Sequence, residues 1–146
     1  MPLSKGSPGY ATLTLRIYGS QPSWLVTSLL ETAPDESHEI GVAPGFKKIQ
    51  STVSMWQKSF GSRPSDFADE LIVDSIRFID EHQLSLKLLR RTYHIDLYLL
   101  LTSERYRSSF EISNETMCLL AKYRCNLCVS LRFDADIPSF LDSISQ

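Results

Sequence analysis

The sequence predicts an α+β domain. Its expected architecture is a single, mostly antiparallel sheet of about five strands with helices packed on one face. The core is a split β-α-β (ferredoxin-like) unit, extended by one more helix–strand unit. Three observations carry this. Residues 10–18 place Leu13, Leu15 and Ile17 on one side of an extended chain and Thr12, Thr14, Arg16 and Tyr18 on the other. Such period-2 alternation marks a strand with one buried face. Two later stretches, 94–102 and 126–133, repeat it. Between them lie apolar residues at helical spacing, suited to cover one side of a sheet.

Gly19 and Ser20 end the first strand. Ser20 is a candidate helix cap, with Pro22 in the first turn, where a missing N–H costs little. Trp24, Leu25, Leu29 and Leu30 then mark a helix of about three turns, closed by Pro34. Residues 36–42 predict a polar edge strand, since Gly41 disfavours a central one. Ala43-Pro44-Gly45 is a turn signal. Residues 49–60 predict a long polar strand anchored by Trp56, ended by Gly61-Ser62-Arg63-Pro64. Trp24 is expected in the core alongside Trp56, because tryptophan is usually highly buried; an exposed one marks a binding hot spot.

Ser65 caps the longest helix, whose core stripe is Phe67, Leu71, Ile72, Ile76 and Ile79. A break near His82-Gln83 precedes a restart through Leu84, Leu86, Leu88 and Leu89. The strand at 94–102 carries Ile95, Leu97, Leu99 and Leu101 on one face and Tyr98 and Leu100 on the other, the pattern of a central strand. A charged loop, a short strand at Phe110-Glu111-Ile112, and a helix capped by Ser113 with Met117, Leu120 and Ala121 inward follow. In the last strand Leu127, Val129, Leu131 and Phe133 alternate with Cys128, Ser130 and Arg132.

At 146 residues the chain fits one domain: a flexible arm at 1–9, a single α+β domain at 10–135 and a tail at 136–146. A net charge of −2, with neither a basic excess nor a basic stripe, argues against a nucleic-acid partner. No apolar run reaches the length of about 20 residues that spans a bilayer, and the start lacks an apolar signal segment. An odd count of three cysteines argues against a closed disulfide framework and for a reducing, cytoplasmic compartment.

Motifs with chemistry are sparse. Cys125 and Cys128 have the spacing of a metal knuckle, with Cys118 upstream and His82 or His94 as a fourth ligand. Within one strand, however, an odd spacing points two side chains to opposite faces, so free thiols are the expectation. The three histidines form no ligand-spaced pair, and no phosphate loop, nucleophile elbow or zinc-protease helix occurs. No catalytic residue, metal or cofactor is therefore assigned. Asp66, Glu70 and Asp74, four apart, share one helix face and with Asp69 form an acidic cluster. Complementarity to the helix dipole accounts for it; docking of a basic partner is the sharper reading.

Several residues together resemble a known family. Leu13-Thr14-Leu15-Arg16-Ile17-Tyr18-Gly19 is similar to the opening strand and glycine of the bacterial domain-of-unknown-function family 4279. Pro22 sits where that family's first helix begins. Leu29-Leu30, Pro34 and Gly41 resemble its "Leu-Gly-x-x-Pro … Lys-Gly" stretch, and Trp56 matches the tryptophan of its next strand. The likeness covers about residues 10 to 135. Glu31 departs from it where a glycine is common, and Ile40 where a lysine is common. The resemblance implies a small bacterial cytosolic domain, of a kind associated with immunity proteins encoded beside secreted polymorphic toxins.

The expected function is thus a non-enzymatic immunity protein that neutralises a cognate toxin domain by occlusion. The expected partner-binding residues are Asp66, Asp69, Glu70 and Asp74 on the helix and Glu104, Arg105, Tyr106 and Arg107 in the loop. The alternative is a sensing module that binds a ligand or peptide in a cleft. An open edge at the polar second strand would also allow a homodimer.

Overall fold

The computed structural model describes residues 9–41, 52–103 and 110–133. Its five strands are β1 (Tyr10–Gly19), β2 (Glu36–His38), β3 (Ser54–Pro64), β4 (Tyr93–Ser103) and β5 (Asn126–Phe133). The helices are α1 (Trp24–Leu30), α2 (Ala68–Glu81), α3 (Gln83–Leu89) and α4 (Asn114–Lys122), with a 3-10 turn at Ser65–Phe67 before α2.

One sheet runs in the order β2-β3-β1-β4-β5. β1 pairs antiparallel with both β3 and β4, and β2 pairs antiparallel with β3. β1 and β2 are therefore parallel to each other with β3 inserted between them, which is the split β-α-β arrangement. α4 then carries the chain to β5, which lies parallel beside β4 and makes the sheet mixed.

Alternation in β1 does what the pattern predicts. Ala11, Leu13, Leu15 and Ile17 are buried beneath the helices, and Thr12, Thr14, Arg16 and Tyr18 are half-buried on the other face. Leu97, Leu99 and Leu101 of β4 join them, with Leu71, Ile72, Ile76 and Ile79 of α2 and Leu86 and Leu89 of α3 above. Trp56 is fully buried, and its Nε1 donates to Thr27 Oγ1 of α1 at 3.1 Å. At Gly19 a Cβ would meet the Thr92 carbonyl oxygen at 2.9 Å, so close strand approach requires glycine there.

Several local expectations are corrected. β3 does not stop at Phe60 but continues to Pro64. Phe60 and Gly61 together oppose Leu13, and Gly61 adopts φ +96°. This bulge absorbs the glycine that otherwise reads as a strand end. α1 has only seven residues, about two turns, and is preceded by Ser23 rather than Ser20. Ser23 makes no cap of its own, because its backbone N–H and hydroxyl both go to the Glu39 carboxylate. Trp24 is 61% exposed: the inward stripe of α1 is Val26 and Leu30.

Phe67 is exposed because the 3-10 turn shifts its phase relative to α2. Leu84 and Leu88 face outward, as does Met117, while Thr116 turns inward on α4. Residues Phe110 to Ile112 form no strand; Phe110 and Ile112 pack against the core from an irregular segment. Ser113 does cap α4, its hydroxyl accepting from Thr116 N–H at 3.1 Å.

Candidate functional site

The face of the sheet away from the helices carries a polar cluster centred on β1 and β4. Arg16 and Asp96 are direct cross-strand partners. Arg16 Nε donates to Asp96 Oδ1 at 2.8 Å and Nη2 to Oδ2 at 2.7 Å, a bidentate fork. Asp96 is only 5% exposed. A carboxylate so deep between apolar neighbours is tolerated because it is paired and hydrogen-bonded.

Further groups close around the pair. Tyr18 Oη donates to Asp96 Oδ2 at 3.3 Å, and the Cys128 thiol lies 3.5 Å from the same oxygen. The Arg16 guanidinium sits 4.4 Å from the centroid of the Tyr98 ring, a cation–π contact. Tyr18 in turn stacks on His94 at 5.6 Å. Three strands thus supply one cluster: Arg16 and Tyr18 from β1, His94, Asp96 and Tyr98 from β4, and Cys128 from β5.

The electrostatics follow from this packing. The hydrogen bonds to Asp96 hold the Arg16 pKa above its ordinary value. Partial burial, then the Asp96 charge, pushes the Tyr18 phenol and the Cys128 thiol up. Both keep their protons at neutral pH. A protonated thiol is a weak nucleophile, so the arrangement suits hydrogen bonding and stacking better than attack on a substrate.

The residues expected to bind a partner sit elsewhere. Asp69 accepts the Ser113 backbone N–H at 3.1 and 3.2 Å, fastening α4 to α2. Glu70 pairs with Arg63 at 2.6 Å; Asp74 pairs with Arg63 at 3.3 Å and Arg77 at 3.5 Å. Asp66 is exposed in the 3-10 turn. Arg63 and Arg77 therefore offset much of the acidic character of this surface. Glu104, Arg105, Tyr106 and Arg107 lie outside the described residues.

The sheet-face cluster was not singled out from the sequence, though two signals were present. Asp96 is a lone carboxylate inside the most apolar strand, and Arg16 is the one charge in the alternation of β1. Residues of both kinds are rarely buried unless paired. Cys118, Cys125 and Cys128 are all free thiols.

A five-stranded sheet with helices on one side and a preorganised polar cluster on the other, a face that no element among the described residues covers, defines a small α+β domain. The chain belongs to a family described as Domain of unknown function (DUF4279), whose model matches residues 10–134. No curated protein and no solved structure matches it. No helix among the described residues is long and apolar enough to cross a membrane.

Proposed function

We propose that this chain is a non-enzymatic protein-binding domain of the immunity type. It docks a bacterial toxin domain on its open sheet face and blocks it by occlusion. One observation carries the reading: the open face presents tyrosine rings and an arginine held rigid by Asp96. Tyrosine and arginine are the residue types enriched where proteins meet, and groups fixed before contact lose little freedom on binding. The Arg16–Asp96 pair leaves no net charge at its centre, so shape, stacking and hydrogen bonding would set specificity there.

The test is growth rescue. The protein that the tagged chain captures from its native cells is co-expressed with it, and rescue is compared among wild type, Tyr98→Ala with Thr14→Arg, and Asp66→Lys with Glu70→Lys and Asp74→Lys. Rescue by wild type, abolished by the sheet-face variant, is the expected result. Rescue lost only in the helix variant would move the interface to α2. Absence of rescue by the wild-type chain would refute the immunity role.

A further inference from the structure

Five cations meet at one end of the fold. Lys87, Arg90 and Arg91 come from the end of α3 and the segment that follows it. Lys122 and Arg124 come from the end of α4. Together they line a surface hollow of about 580 Å³ that has no carboxylate among its described lining residues. These are five of the chain's 15 lysines and arginines, in a protein of net charge −2. The absence of a basic stripe therefore holds for the linear sequence and not for the folded surface. Two groups far apart in the chain come together only when α3 and α4 end side by side.

Helix dipoles account for part of this. Lys87 and Lys122 occupy the last turns of α3 and α4, where cations complement free carbonyls. Arg90 Nη2 donates to the Tyr123 carbonyl at 3.0 Å. Arg91 and Arg124 lie beyond the helices and take part in none of the ion pairs among the described residues. Asp80, the carboxylate next to this region, is engaged by Gln83 Nε2 and Tyr123 Oη, each at 2.7 Å.

Arg124 is the telling residue. It has φ +54°, the left-handed region. The Arg124 N–H bonds to the Ala121 carbonyl at 3.1 Å and the Cys125 N–H to the Leu120 carbonyl at 2.8 Å. This is the two-bond helix stop in which glycine is usual, because a Cβ is unfavourable there. The backbone prefers glycine at this position, and the chain keeps a guanidinium aimed from it.

We propose that this hollow is a binding site for a polyphosphate group, carried by a nucleotide or present as free inorganic polyphosphate. Five clustered cations with Asp80 as the neighbouring carboxylate keep a net positive charge, and a compact anion of several charges relieves their repulsion. Guanidinium forks match phosphate oxygens in pairs. The volume falls within the range of about 300–1,000 Å³ typical of small-molecule sites. The Tyr123 ring, with Lys122 Nζ 5.3 Å from its centroid, adds a flat apolar surface beside the charges. The site is separate from the sheet face and does not depend on the toxin-binding reading.

Isothermal titration of the full chain with sodium tripolyphosphate at low salt tests this. Wild type is expected to bind at one site. Arg91→Ala with Arg124→Gly should weaken binding roughly tenfold or more, since each removes charge-assisted hydrogen bonds. Added salt should weaken it too. Arg124→Gly alone relieves the left-handed strain, so its Tm should not fall, and lost binding then cannot be ascribed to unfolding. Tighter binding of ATP than of tripolyphosphate assigns a nucleotide; the reverse order assigns free polyphosphate. No heat with either, equal affinity of wild type and variants, or binding confined to a polyglutamate peptide or duplex DNA would overturn the proposal.

Discussion

Arg16 and Asp96 face each other across the β1–β4 ladder and are joined by two hydrogen bonds of 2.8 and 2.7 Å. The Asp96 side chain is 6% exposed and that of Arg16 is 23%. Removing one partner leaves the other charge half-buried without its fork. Asp96→Asn should therefore lower stability by about 2 kcal/mol in denaturant titration, near the low end for buried pairs because Arg16 reaches solvent. Replacing both, as Arg16→Met with Asp96→Leu, should recover most of that loss. A double variant as unstable as the single one would show that the pair is not the cause.

Glu31 and Gly19 form an instructive contrast. Glu31 ends α1 at φ +51°, where glycine carries no Cβ penalty. Glu31→Gly should raise stability by about 1 kcal/mol, read as a higher Tm. Gly19→Ala should do the opposite, by about 2 kcal/mol or more, because the methyl meets the rigid Thr92 carbonyl. An unchanged Tm in both variants would contradict these backbone assignments.

Trp56 joins the sheet to α1 through its Nε1–Thr27 hydrogen bond. Thr27→Val keeps the shape but orphans the buried indole N–H, costing about 1–3 kcal/mol. Trp56→Ala opens the core itself and should cost about 3–5 kcal/mol. Urea midpoints for the two variants should separate in that order.

Burial raises the Cys125 thiol and the Tyr93 phenol, with Arg90 partly opposing the former and the Glu39 charge adding to the latter. The folded chain then holds these protons more tightly than the unfolded one. Below the ordinary thiol and phenol values, about 8.5 and 10, both states are protonated and nothing changes. As pH rises, the unfolded chain ionises first, so stability is lost across the alkaline range. Tm should fall from about pH 8.5 upward, and replacing both raised thiols, as Cys125→Ala with Cys128→Ala, should delay the onset toward the tyrosine range. In the native protein, exposed Cys118 should react with iodoacetamide before Cys125. A Tm flat to pH 10, or equal reaction rates at the two thiols, would contradict this.

The sheet was legible wherever one face is buried and the other is not, because alternation then leaves a direct trace. β1, β4 and the buried stripe of α2 follow this rule; β5 pairs with β4 as its alternation suggests, but Val129 and Leu131 on its apolar side are exposed. The failures share a cause, which is that distant residues decided the outcome. Gly61 reads as a strand end, but opposite Leu13 it is a bulge. Trp24 reads as core, but the short α1 directs Val26 and Leu30 inward instead. Ser20 reads as the cap of α1, but the helix starts after Ser23, whose donors go to the distant Glu39. Both clusters described above arise from pairings across strands or helix ends that spacing along the chain does not encode.

β1 lies in the middle of the sheet, yet Tyr10 to Gly19 find β4 partners at Thr102 to Tyr93. On a ribosome adding roughly 5–20 residues per second, the first strand waits on the order of 4–18 seconds for that neighbour. Through that interval Leu13, Leu15 and Ile17 have no completed sheet or helix layer to lie against. The nascent chain thus passes through a window in which its future centre is its stickiest exposed segment, and holdase chaperones would find their handle there.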